Sequence, residues 1–308
     1  MSGDVTVGGQ YTIVVALANP GAVEQLLRTA SDLAARHDGR IHAIAIEHKP
    51  VNSPFLLFSD EHISAEYAED STRLLERAER VSAVPITTDL RVGSDVPGAI
   101  RDVVREVDAN ALLMGWRERA SAADAVLGTS VDPVLRRPPC DVLVERMGTV
   151  ADGVERVLVP TVGGPHVGLA SDVAAAIAAT NGATVTILSV VTGEGPMADP
   201  DAAQEKVRRT AAQFPDVPVE QRVVDAPDSA AGILEVAVDH DLIVLGATGT
   251  GLVRPPVIGS VADTVAREAE CPALIVKHRT ESRLDRVLER VGDVSERLAR
   301  ARGDGRRR

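Results

Sequence analysis

Three glycines and a serine stand at a spacing that suits anion capture: Gly246-x2-Gly249-x9-Gly259-Ser260. A short β-branched apolar run, Leu242 to Leu245, precedes them. An apolar helical pattern follows: Val261, Ala262, Val265, Ala266 and Ala269. Gly246 and Gly249 let the backbone approach a ligand closely. Ser260 is expected as the N-cap of the helix, with Asp263 three residues on completing a capping-box-like pair. Free N–H groups at that helix start, those of Val261 and Ala262 among them, and the helix dipole favour a phosphate. A turn and a plain cap would use the same residues. The strand before and the helix after favour the ligand reading.

Other chemistry has little support. The seven histidines (His37, His42, His48, His62, His166, His240 and His278) show no metal-ligand spacing, and no cysteine pair lies near them. There is no G-x-S-x-G elbow, and no lysine follows the glycine loop as in a P-loop. Cys140 and Cys271 each precede an expected edge strand of their own half, which reads as two small buried hydrophobes in a reducing compartment. His166 reads as an exposed first-turn residue rather than a phosphate contact. The chain is therefore expected not to be an enzyme, with a slow ATPase as the one catalytic alternative; no positioned general base is evident for it.

These residues need a scaffold, and the sequence shows one unit used twice. Cys140 and Cys271 lie 131 positions apart, as do Gly115 and Gly246, Gly128 and Gly259, and Thr129 and Ser260. Earlier in the halves the offset is 144, from Ala18 to Val162, so the first half carries an insertion, placed at His48 to Ile63. The first half reads as strands Tyr11–Ala18, Arg40–Glu47, Ile86–Val92, Ala111–Met114 and Val142–Glu145. Helices Gly21–Arg36, Ala65–Val81, Val96–Val107 and Thr129–Arg136 alternate with them. The second half repeats this from Arg156 to Val276. The fold class is α/β: doubly wound, mainly parallel five-stranded sheets in tandem, with helices on both faces. Ligands of such sheets bind at the carboxyl ends of strands, where strand order switches.

Hydrophobic residues make up 44% of the 308, supplied by Ala, Val and Leu rather than aromatics, as helices packed on a parallel sheet require. A net charge of −12 argues against non-specific nucleic-acid binding. No apolar run reaches the length of a membrane span, and the polar start MSGDVTVGGQ lacks a signal pattern, so a cytoplasmic location is expected.

The glycine–serine spacing, together with Ser260-Val261-Ala262-Asp263 and Cys271-Pro272-Ala273-Leu274-Ile275-Val276, resembles the nucleotide loop, last helix and last strand of the universal stress protein family. The resemblance covers both halves, about residues 11–278. It implies ATP or AMP, with or without Mg²⁺, bound between the end of the first strand, the end of the second and the glycine loop. On this chain those positions are Pro160, Thr161, Val162 and Gly163, then Val190, then Gly246, Gly249, Gly259, Ser260, Val261 and Ala262. Val190 would offer its backbone to the adenine edge. Val162 stands where the family usually has Asp, and Gly163-Gly164 keep the loop open. Because family members dimerise through their last strands, a tandem chain is expected to form an internal pseudo-dimer, with Val142–Glu145 against Leu274–Lys277.

The first half departs further: Gly115-Trp116-Arg117-Glu118 replaces the second glycine by a carboxylate, and Ala18 replaces the usual Asp. A carboxylate there would repel a triphosphate, so this half is read as binding no nucleotide, with Arg117 and Arg119 leaving room for another anion. The expected domains are 1–150 with the degenerate loop, 151–280 with the intact loop, and 281–308 as an amphipathic helix and basic tail. Two readings of function follow. One is a regulator that binds an adenine nucleotide in its second domain. The other is a nucleotide-independent module of the kind associated with amino-acid or cation transporters. Partner contacts are expected through the Phe55 loop or the C-terminal helix, with a transporter or a second copy. Phe55 and Phe58 are favoured as a lid tucked on the core over an exposed patch.

Overall fold

Each β-branched apolar run of the repeat becomes a strand, and each helical pattern between runs becomes a crossover. The computed structural model describes residues 10–50, 57–117, 130–148, 153–161, 166–193, 198–247 and 258–279. The first half supplies β1 (Thr12–Leu17), β2 (Arg40–His48), β3 (Ile86–Gly93), β4 (Ala111–Trp116) and β5 (Asp141–Arg146). The second supplies β6 (Arg156–Pro160), β7 (Thr184–Val191), β8 (Val219–Asp225), β9 (Leu242–Gly246) and β10 (Ala273–Lys277). They form one ten-stranded sheet in the order β3-β2-β1-β4-β5-β10-β9-β6-β7-β8. All neighbours run parallel except β5 and β10, which are antiparallel.

Helices cover both faces, as a parallel sheet requires. One layer holds α1 (Val23–Arg36), α3 (Glu69–Val81), α6 (His166–Asn181) and α7 (Pro200–Ala211). The other holds α4 (Val96–Glu106), α5 (Val131–Arg136), α8 (Ser229–Ala237) and α9 (Ser260–Glu268). The insertion lies between β2 and α3, as expected, and adds α2 (Asp60–Glu66). The single helix expected over 65–81 is instead two. Ser59 caps α2 through His62 N–H, and the chain breaks at Tyr67, whose ring lies 6.0 Å from those of both Phe58 and His62. The tucked lid is not what Leu57 and Phe58 make: Leu57 is 89% exposed and Phe58 37%. Phe55 and the expected C-terminal helix lie outside the described residues.

The seam between β5 and β10 joins the halves. Its register pairs Leu274 with Glu145, Ile275 with Val144, Val276 with Leu143 and Lys277 with Val142, which is the expected internal pseudo-dimer. The strands that close each half as edges therefore lie at the centre of the whole sheet. Arg146, at the end of β5, is buried and reaches into the other half. Its Nη1 donates to the carbonyls of Ala266 (2.8 Å) and Arg267 (3.0 Å), and its Nη2 to those of Ala269 (2.5 Å) and Cys271 (2.9 Å). The last carbonyls of a helix lack internal partners and carry its negative dipole end, so a buried guanidinium there satisfies both.

A second seam group is Glu145, 4% exposed. It accepts from Gln25 Nε2 (2.9 Å) and Thr29 Oγ1 (2.8 Å) of α1. Burial outweighs these bonds and pushes its carboxyl up to about 7. Asp32, also buried, is pushed up to about 6 by the same cause, against the lowering effect of a bond from Asn181 of α6.

Two outcomes follow for stability. Arg146→Ala should cost about 3 kcal/mol in denaturant unfolding, because four carbonyls lose a charged donor. Arg146→Lys should recover only part of this, and a loss below about 1 kcal/mol for Arg146→Ala would contradict the seam role. For Glu145 the folded state keeps a proton that the unfolded chain has already released. Stability should therefore fall as pH rises from about 4.5 to about 7, by about 3 kcal/mol in all from this group. Glu145→Gln should flatten that slope, and an unchanged slope would contradict the assignment.

Candidate functional site

In the second half the strand order reverses at β6, with β7 and β8 on one side and β9 and β10 on the other. Crevices at the carboxyl ends of strands form at such a point. Three backbone features meet there. The first is the end of β6, Pro160, followed by Thr161. Thr161 is 1% exposed, donates its N–H to Leu188 O (2.7 Å), and shares a hydroxyl bond with Thr210 (3.1 Å), so its polar groups serve mainly to anchor the strand end to β7 and α7.

The second is Val190 on β7. Peptide groups alternate sides along a strand. Leu188 takes its bond from Thr161 on the β6 side, whereas Val191 O accepts from Ala226 on the β8 side. Val190, two residues past Leu188, therefore turns its peptide groups toward the space beyond the end of β6. Its side chain is buried at 3% and lies against Gly232, where a Cβ would sit 2.7 Å from Val190 Cγ1. The side chain packs the core while the backbone faces the crevice.

The third is the start of α9. Gly259, in an extended conformation, is the N-cap, and no side chain caps the helix. Ser260 is thus the first helical residue and not the cap. Asp263 does not close a capping box: its N–H bonds Gly259 O (3.0 Å) and its carboxylate pairs with Arg267 (3.0 Å). The glycine takes the capping conformation itself, which leaves the exposed Ser260 hydroxyl uncommitted and the first-turn N–H groups of Ser260, Val261 and Ala262 without helical partners. Gly246 ends β9 in register with Val276. Val162, Gly163 and Gly249 lie outside the described residues, as do Glu118, Arg119, Gly128 and Thr129 of the first half.

His166, read from sequence as merely exposed, is packed against this edge. It begins α6, is half-buried, and its Nδ1 accepts the N–H of His278 (3.1 Å). Its Cβ lies 3.1 Å from where a Gly246 Cβ would be. Burial first, then Lys277 and His278, hold its pKa below the ordinary histidine value. With Nδ1 accepting, the neutral ring carries its proton on Nε2.

The corresponding edge of the first half is built differently. β4 runs on to Trp116, two residues past the expected end at Met114. Trp116 is buried at 2%, with the Arg267 guanidinium 5.3 Å from its ring centroid. Met147 lies over Gly115, so that a Cβ there would sit 2.5 Å from its Sδ. Burial pushes the Cys271 thiol up to about 11, which leaves it a poor nucleophile. Among the described residues no three His, Cys, Asp or Glu side chains converge to hold a metal ion.

Sequence reasoning missed the polar groups of the seam. The repeat held the signal for them. Arg146 aligns with Lys277, both basic, and Glu145 aligns with Val276. On α1, Gln25, Thr29 and Asp32 form an i, i+4, i+7 stripe where α6 has Leu169, Val173 and Ala176.

Comparison with known proteins agrees with this architecture. The universal stress protein family matches residues 11–146 and 153–277. The Na(+)/H(+) antiporter NhaS5 of Synechocystis is 26% identical over 265 residues, covering 84% of this chain but only 37% of the antiporter's length. A universal stress protein of Mycobacterium tuberculosis is 27% identical over 223 residues, 66% of this chain and 69% of that one. The crystal structure of a universal stress protein from Archaeoglobus fulgidus superposes with a TM-score of 0.64 at 17% identity, covering 88% of this chain and 97% of the other, and shares its fold. No helix among the described residues is long and apolar enough to cross a membrane. With both halves matched and the ten-stranded sheet in place, the chain belongs to the universal stress protein family.

Proposed function

We propose that the second half binds an adenine nucleotide, AMP or ATP, and that the chain acts as a cytoplasmic regulator and not as an enzyme. The observation that carries this is the meeting, at one switch point, of the uncapped start of α9, the end of β9 at Gly246 and the outward peptide groups of Val190. In this reading the phosphates sit on the N–H groups of Ser260, Val261 and Ala262 and are cradled by Gly246, Gly249 and Gly259. The adenine edge bonds the Val190 backbone, and Pro160, Thr161, Val162 and Gly163 wall the ribose side. Any Mg²⁺ would arrive on the phosphates of ATP. In the first half, Met147 over Gly115 and the carboxylate of Glu118 oppose a second site.

A second reading has its own observation in favour. The match to the antiporter NhaS5 spans both halves of this chain. On that basis the tandem serves as a regulatory module for a membrane transporter, without need of a nucleotide. Capture of a transporter from detergent-solubilised membranes, equal for wild type and for Gly249→Glu, would favour this reading over the first.

Calorimetric titration of AMP and of Mg²⁺–ATP separates the two. Wild type should bind about one nucleotide per chain, and Gly249→Glu, which copies Glu118, should lose binding by at least tenfold through like-charge repulsion. Absence of saturable heat in wild type would overturn the nucleotide reading. The reciprocal variant, Glu118→Gly, should not gain a second site because Met147 still covers Gly115. A stoichiometry of two in that variant would show that the glutamate alone silences the first half.

A further inference from the structure

A small cavity of about 40 Å³ lies in the seam, lined by Gln25, Thr29 and Asp32 of α1, Glu145 of β5, Ile177 of α6, and Asp241 at the foot of β9. It lies across the first half's last strand, outside the nucleotide crevice, and nothing in the nucleotide reading uses it. Its hydrogen bonds do not balance. Gln25 Nε2 donates to Glu145 Oε1 (2.9 Å) and to the Arg146 carbonyl (2.9 Å). The carbonyl can only accept, so Nε2 must face it and the orientation of the amide is fixed. That leaves Gln25 Oε1 buried with no donor, in a side chain that is 7% exposed. Glu145 Oε2 accepts from Thr29, Asp32 Oδ2 accepts from Asn181 (3.0 Å), and Asp241 Oδ2 accepts the N–H groups of Glu155 (2.8 Å) and Arg156 (2.9 Å).

The charges do not balance either. Two carboxylates, Glu145 at 4% and Asp32 at 7% exposure, are buried, and Asp241 lies beside them. The one cation in the lining, Arg28, is exposed at the rim; its attraction lowers both carboxyls but is outweighed by their burial. From α6 the facing groups are uncharged, Asn181 and Ile177. On β5 the neighbouring guanidinium of Arg146 is directed into α9. The fold does not demand this polarity. The repeat-equivalent positions in the second half are Leu169, Val173, Ala176 and Val276, all buried and apolar. The cavity thus has buried oxygens in excess: Gln25 Oε1 has no donor, and the cation of the lining stands at the exposed rim.

We propose that this seam cavity is a binding site for a small monovalent metal cation, Na⁺ or K⁺, held by Gln25 Oε1 with the carboxylates of Glu145 and Asp32. The space suits one ion with a water or two. A divalent ion is disfavoured, since Asp241 already spends Oδ2 on two backbone N–H groups, which leaves two carboxylates to face the space. A proton on Glu145 or Asp32 would neutralise the same excess charge, so proton and cation compete. The ion thereby offsets the loss of stability on ionising Glu145, and it links the two halves because α1 and β5 meet β9 there.

The test is thermal unfolding of the full chain at fixed ionic strength in chlorides of Na⁺, K⁺, ammonium and choline, without nucleotide. At pH 8, Na⁺ or K⁺ should raise the melting temperature saturably by a few degrees over choline. The midpoint concentration should be roughly tenfold higher at pH 6, where protonation competes. Glu145→Gln and Gln25→Leu should each abolish the cation-specific rise while still melting cooperatively. Should Glu145→Gln fail to fold, Gln25→Leu and ²³Na line broadening on the wild type carry the test. Equal melting in all four salts, a rise that persists in Gln25→Leu, or a response to ammonium alone would each overturn the proposal.

Discussion

The antiparallel pairing of β5 with β10 is the constraint on which the rest depends. Each half alone is an open five-stranded sheet ending in an apolar strand with unpaired backbone groups. Such an edge invites pairing with another chain. The tandem chain resolves this internally: the two last strands pair with each other, and helices α1 and α6 pack across the junction. Arg146 then ties the end of one half's strand to the end of the other half's helix. The link is long-range and buried, so the two halves are positioned as one body and not as beads on a linker.

Fusing two copies into one chain also frees them to diverge. A homodimer must use the same residue on both sides of its two-fold axis, whereas a tandem repeat need not. The divergence is concentrated at the seam and the carboxyl edges. Met147 covers Gly115 where His166 flanks Gly246, and Trp116 fills a place held by Ala247 in the second half. Glu145, Gln25 and Asp32 replace apolar counterparts. One edge is thereby filled with side chains, while the other keeps a helix start whose N–H groups have no helical partners. On the proposed reading, asymmetry of binding follows from this asymmetry of packing.

Much of the architecture was legible in the sequence because it rests on local patterns. β-branched runs bounded by helical periodicity located the strands of the first half, the repeat offsets carried them to the second and placed the insertion, and the family resemblance implied the seam pair. What was not legible depends on contacts and cap geometry that no local hydrophobic pattern encodes. Trp116 joins β4 because its register partner is Arg146 on β5. The break at Tyr67 reflects ring packing with Phe58 and His62, which no helical propensity contains. His166 is held by a backbone N–H from His278, and its burial follows from that tertiary contact. Ser260 missed its capping role by one position because Gly259 takes the extended conformation that a cap requires. The polar seam was visible only by aligning the halves and asking why Glu145 stands where the second half has Val276.

The most direct measurement is a crystal structure of the full chain grown with saturating AMP. The expected result is one nucleotide, its phosphate on the first turn of α9 and its base beside Val190, with the Gly115 edge filled by Met147. Nucleotide density at the Gly115 edge, or at neither edge, would contradict the division of the chain into one binding half and one silent half.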